Sequence, residues 1–142
     1  MHLPLFSATE IFDRVGYRTA VRAVQIALVT GLDPAQDFAR QMLTVANGQL
    51  LLMPSEAAEF VGIKVASVAP GNPILGRERI QGVCLLLNAA TLGPIALFDG
   101  AAITTLRTPA VSAAAAAYRA GARAEAERAC DLRVARRPIV NG

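Results

Sequence analysis

Between residues 41 and 99 the chain repeats one arrangement, a strand-length run rich in Val, Ile and Leu followed by a cluster of Pro, Gly and Asn. QMLTVANGQLLLMP reads as two short strands joined at Asn47-Gly48, a dipeptide whose tolerance of positive φ favours a tight hairpin. Residues 61–68, 80–87 and 94–99 are three further strand candidates. Successive strands with turn residues between them specify a sheet meander, antiparallel in the main.

Helical signals flank this block. Ser7 and Glu10 have capping-box spacing, in which the hydroxyl accepts from the N3 amide and the carboxylate reaches back to the cap amide. The helix they start runs through Ile11, Phe12 and Val15, is punctuated at Gly16, and resumes over Arg18 to Thr30 with a broad apolar stripe that Gly31 stops. Residues 33–40 are polar and turn-like. After the strands, Gly100 to Arg107 predicts a helical turn or short helix, and Pro109 suits the first position of a helix over 110–119 that contains five consecutive alanines. The order helices, strand meander, Ala-rich helix is that of an α+β domain, not a βαβ array.

With 142 residues, the chain is long enough for one domain that buries roughly 70% of its unfolded surface. A hydrophobic fraction of 54% and a mean hydropathy of +0.41 are high, but much of this is alanine. No stretch approaches the roughly 20 apolar residues of a membrane span. The opening MHLPLFSATE has neither a basic leader nor an apolar h-region, so a cytoplasmic protein is expected. Cys84 and Cys130 form neither a disulfide framework nor metal-ligand spacing and are expected to be free thiols. The net charge of +3 comes from the end of the chain: residues 1–118 hold eight basic and eight acidic side chains, residues 119–142 six and three. A neutral body with few aromatics argues against a nucleic-acid partner. His2 is the only histidine, no His, Cys, Asp or Glu cluster has metal spacing, and neither G-x-G-x-x-G nor a P-loop occurs.

One residue stands out. Lys64 is the only lysine, the other thirteen basic side chains being arginine, and it lies inside the strand VGIKVASV. In a strand it shares a face with Gly62, Ala66 and Val68. Periodicity allows two readings: a solvent-facing lysine whose stem lies along apolar surface, or an ammonium in a pocket, where lower dielectric strengthens its pull on a carboxylate.

Lys64 with Pro70-Gly71-Asn72, then Gln81-Gly82, Asp99-Gly100, and Leu106-Arg107-Thr108 leading into the alanine-rich helix occur in one order. Together they closely resemble the amino-terminal half of the ornithine cyclodeaminase and mu-crystallin family, over roughly residues 1–120. That family includes ornithine cyclodeaminases, ketimine and pyrroline-carboxylate reductases and some alanine dehydrogenases. The resemblance implies a homodimer, NAD(H) or NADP(H) as cofactor, and a small amino or imino acid substrate whose carboxylate is gripped by two arginines and a lysine. Those positions correspond to Arg40, Lys64 and Arg107, with Thr108 similar to the residue that touches the dinucleotide. The same resemblance implies that Lys64 assists proton movement near the imine. A guanidinium suits bidentate carboxylate binding and an ammonium adds a compact charge. By sequence alone Arg40 is equally a surface charge, Thr108 a helix cap before Pro109, and Asn72 and Gln81 turn-shaping residues. Arg107, expected just ahead of a helix, would be opposed there by the helix dipole unless an anion were bound.

Two features depart from the family. Arg79 stands where a threonine near the cofactor is common, and a Rossmann domain should follow the alanine-rich helix where the sequence has GARAEAERACDLRVARRPIVNG. The expectation is therefore a substrate-binding and dimerisation domain over 1–120, no Rossmann domain, and an Arg- and Ala-rich tail over 121–142 that is partly disordered. Such a chain would hold no dinucleotide tightly and would not turn over alone. The alternative is a non-catalytic dimerisation or small-acid-binding module.

Overall fold

A computed structural model describes residues 2–135. Its elements are β1 (Leu5–Phe6), α1 (Ala8–Arg14), α2 (Tyr17–Val29), β2 (Gln41–Val45), β3 (Gly48–Ala57), β4 (Phe60–Val68), β5 (Ile80–Asn88), β6 (Pro94–Asp99) and α3 (Gly100–Ala135), an α+β arrangement. The strands form one sheet in the order β1-β6-β5-β4-β3-β2. Every neighbour is antiparallel except β1, which runs parallel to β6 and ties the start of the chain to the last strand. β1 has two residues, too few to leave a periodic signal in the sequence.

The capping box forms as the sequence predicts: Glu10 N–H donates to Ser7 Oγ, and Ser7 N–H donates to the Glu10 carboxylate at 2.9 Å. The first hairpin differs by one residue from expectation. Ala46 and Asn47 make the turn, and Gly48 is already in β3 opposite Val45. Gly48 has φ +148°, and a Cβ there would lie 2.0 Å from the Val68 carbonyl oxygen, so close approach of the β4 end demands glycine.

The expected break between residues 107 and 110 does not occur. α3 is one helix with Pro109 inside it, and it starts where Asp99 accepts a hydrogen bond from Ala102 N–H at 2.8 Å. Proline within a helix removes one backbone bond and costs about 3 kcal/mol. Against this, Ala102, Leu106, Ala110 and Ala114 form a stripe at four-residue spacing, each no more than 5% exposed, that continues across Pro109. Burial of both segments on one side outweighs the lost bond. Of the five consecutive alanines, only Ala114 is buried. The helix continues past residue 120 to Ala135; the disorder expected towards the end of the chain falls partly on residues 136–142, outside the described residues.

Strand alternation gives the sheet two different faces. Lys64, Ala66, Gly82, Cys84, Ala96 and Phe98 share one through the registers Lys64↔Cys84, Ala66↔Gly82, Cys84↔Phe98 and Leu86↔Ala96. The helices reach the sheet here: Ile11, Ala102 and Leu106 form a core cluster against Phe6, Phe98 and Ile103. The start of α3 lies directly on β5, because a Cβ on Gly100 would sit 2.7 Å from Gly82 C. The other face carries Val61, Ile63 and Val65 opposite Leu87, Leu85 and Val83, apolar side chains left only half-buried.

Candidate carboxylate-binding site

Lys64 lies where strand β4 meets the start of α3 and lines a cavity there. The side chain is half-buried on the helix-bearing face, and its Nζ donates to Thr104 Oγ1. The Thr104 hydroxyl donates its own proton to Gly100 O at 2.7 Å, so it meets the ammonium as an acceptor. Arg107 follows Thr104 by three residues, which puts both on one side of α3. Arg40 arrives from another direction, at the residue before β2.

A cavity of about 400 Å³ is lined by Arg40, Lys64 and Arg107 together. Met53, Phe98 and Ile103 supply apolar wall, and Asp37 is the only carboxylate in the lining. Among the described residues the one ion pair is Arg14–Glu10 at 4.0 Å, so none of the three cavity cations is paired with a carboxylate. Three converging cations against one acid leave the cavity with an excess of two positive charges. A small anion with a short apolar body matches this concavity in charge and chemistry.

Two of the arguments drawn from sequence change. Arg107 does not precede a helix but lies two turns inside α3, so the opposing dipole is absent and its place in the site rests on the cavity instead. Thr108 is no helix cap. It is an exposed mid-helix residue whose hydroxyl donates to Thr104 O at 2.9 Å, and it does not line the cavity. Asn72 and Gln81 both donate side-chain amide protons to Glu78 O, at 2.9 and 3.2 Å, and thereby shape the loop between β4 and β5. Arg79 is exposed, its carbonyl accepting from Ala69 N–H.

Sequence reasoning missed three lining residues, Asp37, Cys84 and Thr104. Thr104 was discoverable: once a helix starts at Asp99-Gly100, its spacing from Arg107 puts the two on one face. Cys84 follows only from the β4–β5 register. It is a free thiol, and burial pushes it above its ordinary value; Lys64 and Arg107 oppose that shift and Asp99 adds to it. The side chain of Cys130 lies outside the described surroundings.

Among the described residues no three His, Cys, Asp or Glu side chains gather as a metal site, and no helix is long and apolar enough to cross a membrane. Carboxylates occupy the starts of α1 and α3, Glu10 accepting from Ser7 N–H and Asp99 from Ala102 N–H, while the start of α2 at Gly16 carries no side-chain cap.

Comparison with known proteins agrees with the α+β fold. Over 80 residues the chain is 40% identical to a Delta(1)-pyrroline-2-carboxylate reductase of Bacillus cereus, a match covering 54% of this chain and 25% of that relative. The structure of Thermococcus litoralis Delta(1)-pyrroline-2-carboxylate reductase, in complex with NADH and L-proline, superposes with a TM-score of 0.67 at 29% identity, covering 78% of this chain and 36% of that one. An archaeal alanine dehydrogenase dimer with bound NAD gives a TM-score of 0.68 at 26% identity, over 78% of this chain and 35% of that one. The chain thus matches between a quarter and little more than a third of the length of these relatives. The family model for ornithine cyclodeaminase/mu-crystallin matches residues 12–130, spanning β2 to β6 and most of α3, and the chain belongs to that family.

Proposed function

We propose that this chain binds the carboxylate of a small amino or imino acid through Arg40, Lys64 and Arg107, as the substrate-binding and dimerisation part of an NAD(P)-dependent amino-acid deaminating or ketimine-reducing enzyme. The observation that carries this reading is that three cations, from the loop before β2, from β4 and from α3, line one cavity, none of them paired with a carboxylate among the described residues. Arginine offers a planar pair of donors to both carboxylate oxygens, and the Lys64 ammonium adds a point charge from the cavity wall. Apolar lining from Phe98 and Ile103 suits the carbon body of the acid and thins the water that would screen the ion contacts. We assign Lys64 the transfer of a proton to an imine nitrogen held next to the carboxylate.

Oxidation or reduction at the α-carbon needs a nicotinamide dinucleotide. We assign the described domain the acid-binding role alone, over residues 1–120, and expect the 142-residue chain to bind without turnover. Thr108, exposed one residue beyond Arg107, is our candidate for contact with that cofactor. The half-buried apolar face of β3, β4 and β5 supports a homodimer, since a second copy laid on it would remove the surface from water. A non-catalytic dimerisation or small-acid-binding module is the second reading, favoured by the same face. A cytoplasmic location accords with the free Cys84 thiol.

Calorimetry with L-proline tests the site. Wild type should bind, and Lys64→Met should lose about 1.5–3 kcal/mol, roughly ten- to hundredfold in Kd. Equal affinity in the two proteins removes Lys64 from the site. Light scattering should return twice the chain mass, and nicotinamide-dependent turnover of ornithine, cyclic imines or alanine by this chain would overturn the acid-binding-only assignment.

A further inference from the structure

Lys64 and Thr104 line two cavities. Besides the larger one shared with Arg40 and Arg107, they wall a second of about 230 Å³, together with Gln81, Gly82, Gly100 and Ala101. A lysine has a flexible four-carbon stem, and its ammonium can turn to either side of such a partition. Carboxylates are no help in fixing it, since none of the described residues pairs with it.

The hydroxyl of Thr104 is the one side-chain group bonded to the ammonium. Three observations make that hydroxyl a fixed acceptor. Its only proton is committed to Gly100 O. Threonine is β-branched, and that back-bond selects one of its rotamers in a helix. The turn that carries it is seated on β5 by the Gly100–Gly82 contact, leaving no room for the helix start to shift inward.

We propose that Thr104 is the positioning residue for Lys64: its helix-bound hydroxyl takes one of the three ammonium N–H groups and holds Nζ at the wall between the two cavities. Two N–H donors then remain for the occupants, within reach of the acid gripped by Arg40 and Arg107. This rests on the carboxylate-site reading and adds to it a residue that acts through Lys64.

Because the chain has a single lysine, acylation of the full 142-residue protein by acetic anhydride, followed by digestion and peptide mass spectrometry, reads this ε-amine apart from the α-amine of residue 1. Thr104→Val keeps the shape and removes the acceptor; acylation of Lys64 should rise by about threefold or more as the ammonium is released. Thr104→Ser retains the hydroxyl and should return the rate to within about twofold of wild type. Should the valine variant fold poorly, Thr104→Ala gives the same comparison. Unchanged acylation in a folded Val or Ala variant, or a Ser variant that behaves like Val, overturns the inference. Protection of wild-type Lys64 by L-proline separates the two readings. Protection with an indifferent Thr104→Val sinks the positioning role alone; no protection with a responsive Thr104→Val upholds that role and sinks the carboxylate reading.

Discussion

Replacing Gly100 by alanine should damage fold and site together, while the same replacement at Gly121, in the same helix, should do neither. A Cβ on Gly100 would lie 2.7 Å from Gly82 C and 2.9 Å from both Gly82 O and Val83 N. These are backbone atoms of β5, held between β4 and β6, so they cannot swing aside. The start of α3 must retreat by about 0.7 Å to reach an ordinary 3.4 Å contact. Overpacking of this kind costs about 1–3 kcal/mol, of which the better helix propensity of alanine returns at most ~1 kcal/mol. Gly121 has nothing within 4 Å of its added Cβ, so there only propensity acts and stability should be unchanged or up to ~1 kcal/mol greater. Urea unfolding followed by circular dichroism gives both midpoints, and a common slope shows that the denatured states are alike. The retreat also carries Thr104 and Arg107 away from β4, so L-proline affinity should fall in Gly100→Ala and hold in Gly121→Ala. A Gly100→Ala protein as stable as Gly121→Ala would refute the close-contact argument.

Leu106→Ala, at a site 5% exposed in the core cluster with Ile11 and Ala102, should lower stability by about 2–5 kcal/mol in the same urea assay. The Ser7 backbone N–H and hydroxyl hold Glu10 below its ordinary value of 4.5. A depressed folded-state value contributes stability above 4.5 that fades as pH falls through the lower one, so an acid titration of unfolding should show a loss below pH 4.5 that Glu10→Gln abolishes. The Cys84 thiol, raised mainly by burial, should alkylate with iodoacetamide more slowly than free cysteine at neutral pH and speed up as pH rises. Lys64→Met should slow it further, because removing the ammonium disfavours the thiolate; an unchanged Cys84 rate, assigned by peptide mass, would place Lys64 elsewhere.

Much of the architecture was legible because its causes are local. Ser7 and Glu10 are three residues apart, Gly16 and Gly31 interrupt and end helices, and the β-branched runs of β4 and β5 are bounded by turn residues. Where the reading slipped, a non-local contact had overridden a local rule. Pro109 marks a helix start in isolation, yet burial of Ala102, Leu106, Ala110 and Ala114 along one side carries α3 through it. Asn47-Gly48 announces the hairpin, but the Val68 carbonyl requires glycine one step later, so the turn falls on Ala46-Asn47. β1 exists only because β6 is there to pair with it.

The site divides in the same way. Arg40, Lys64 and Arg107 are legible as a set from the family's motifs, and the chemistry of guanidinium and ammonium towards a carboxylate is written in the residue types. That all three line one cavity is a property of sheet register, of which side of β4 meets α3, and of two glycines that let helix and strand touch. The period of a strand assigns Lys64 and Val65 to opposite faces, but it cannot say which face a helix covers. Only the packed chain supplies that, because the choice is made by contacts between residues some forty positions apart, such as Lys64 with Thr104.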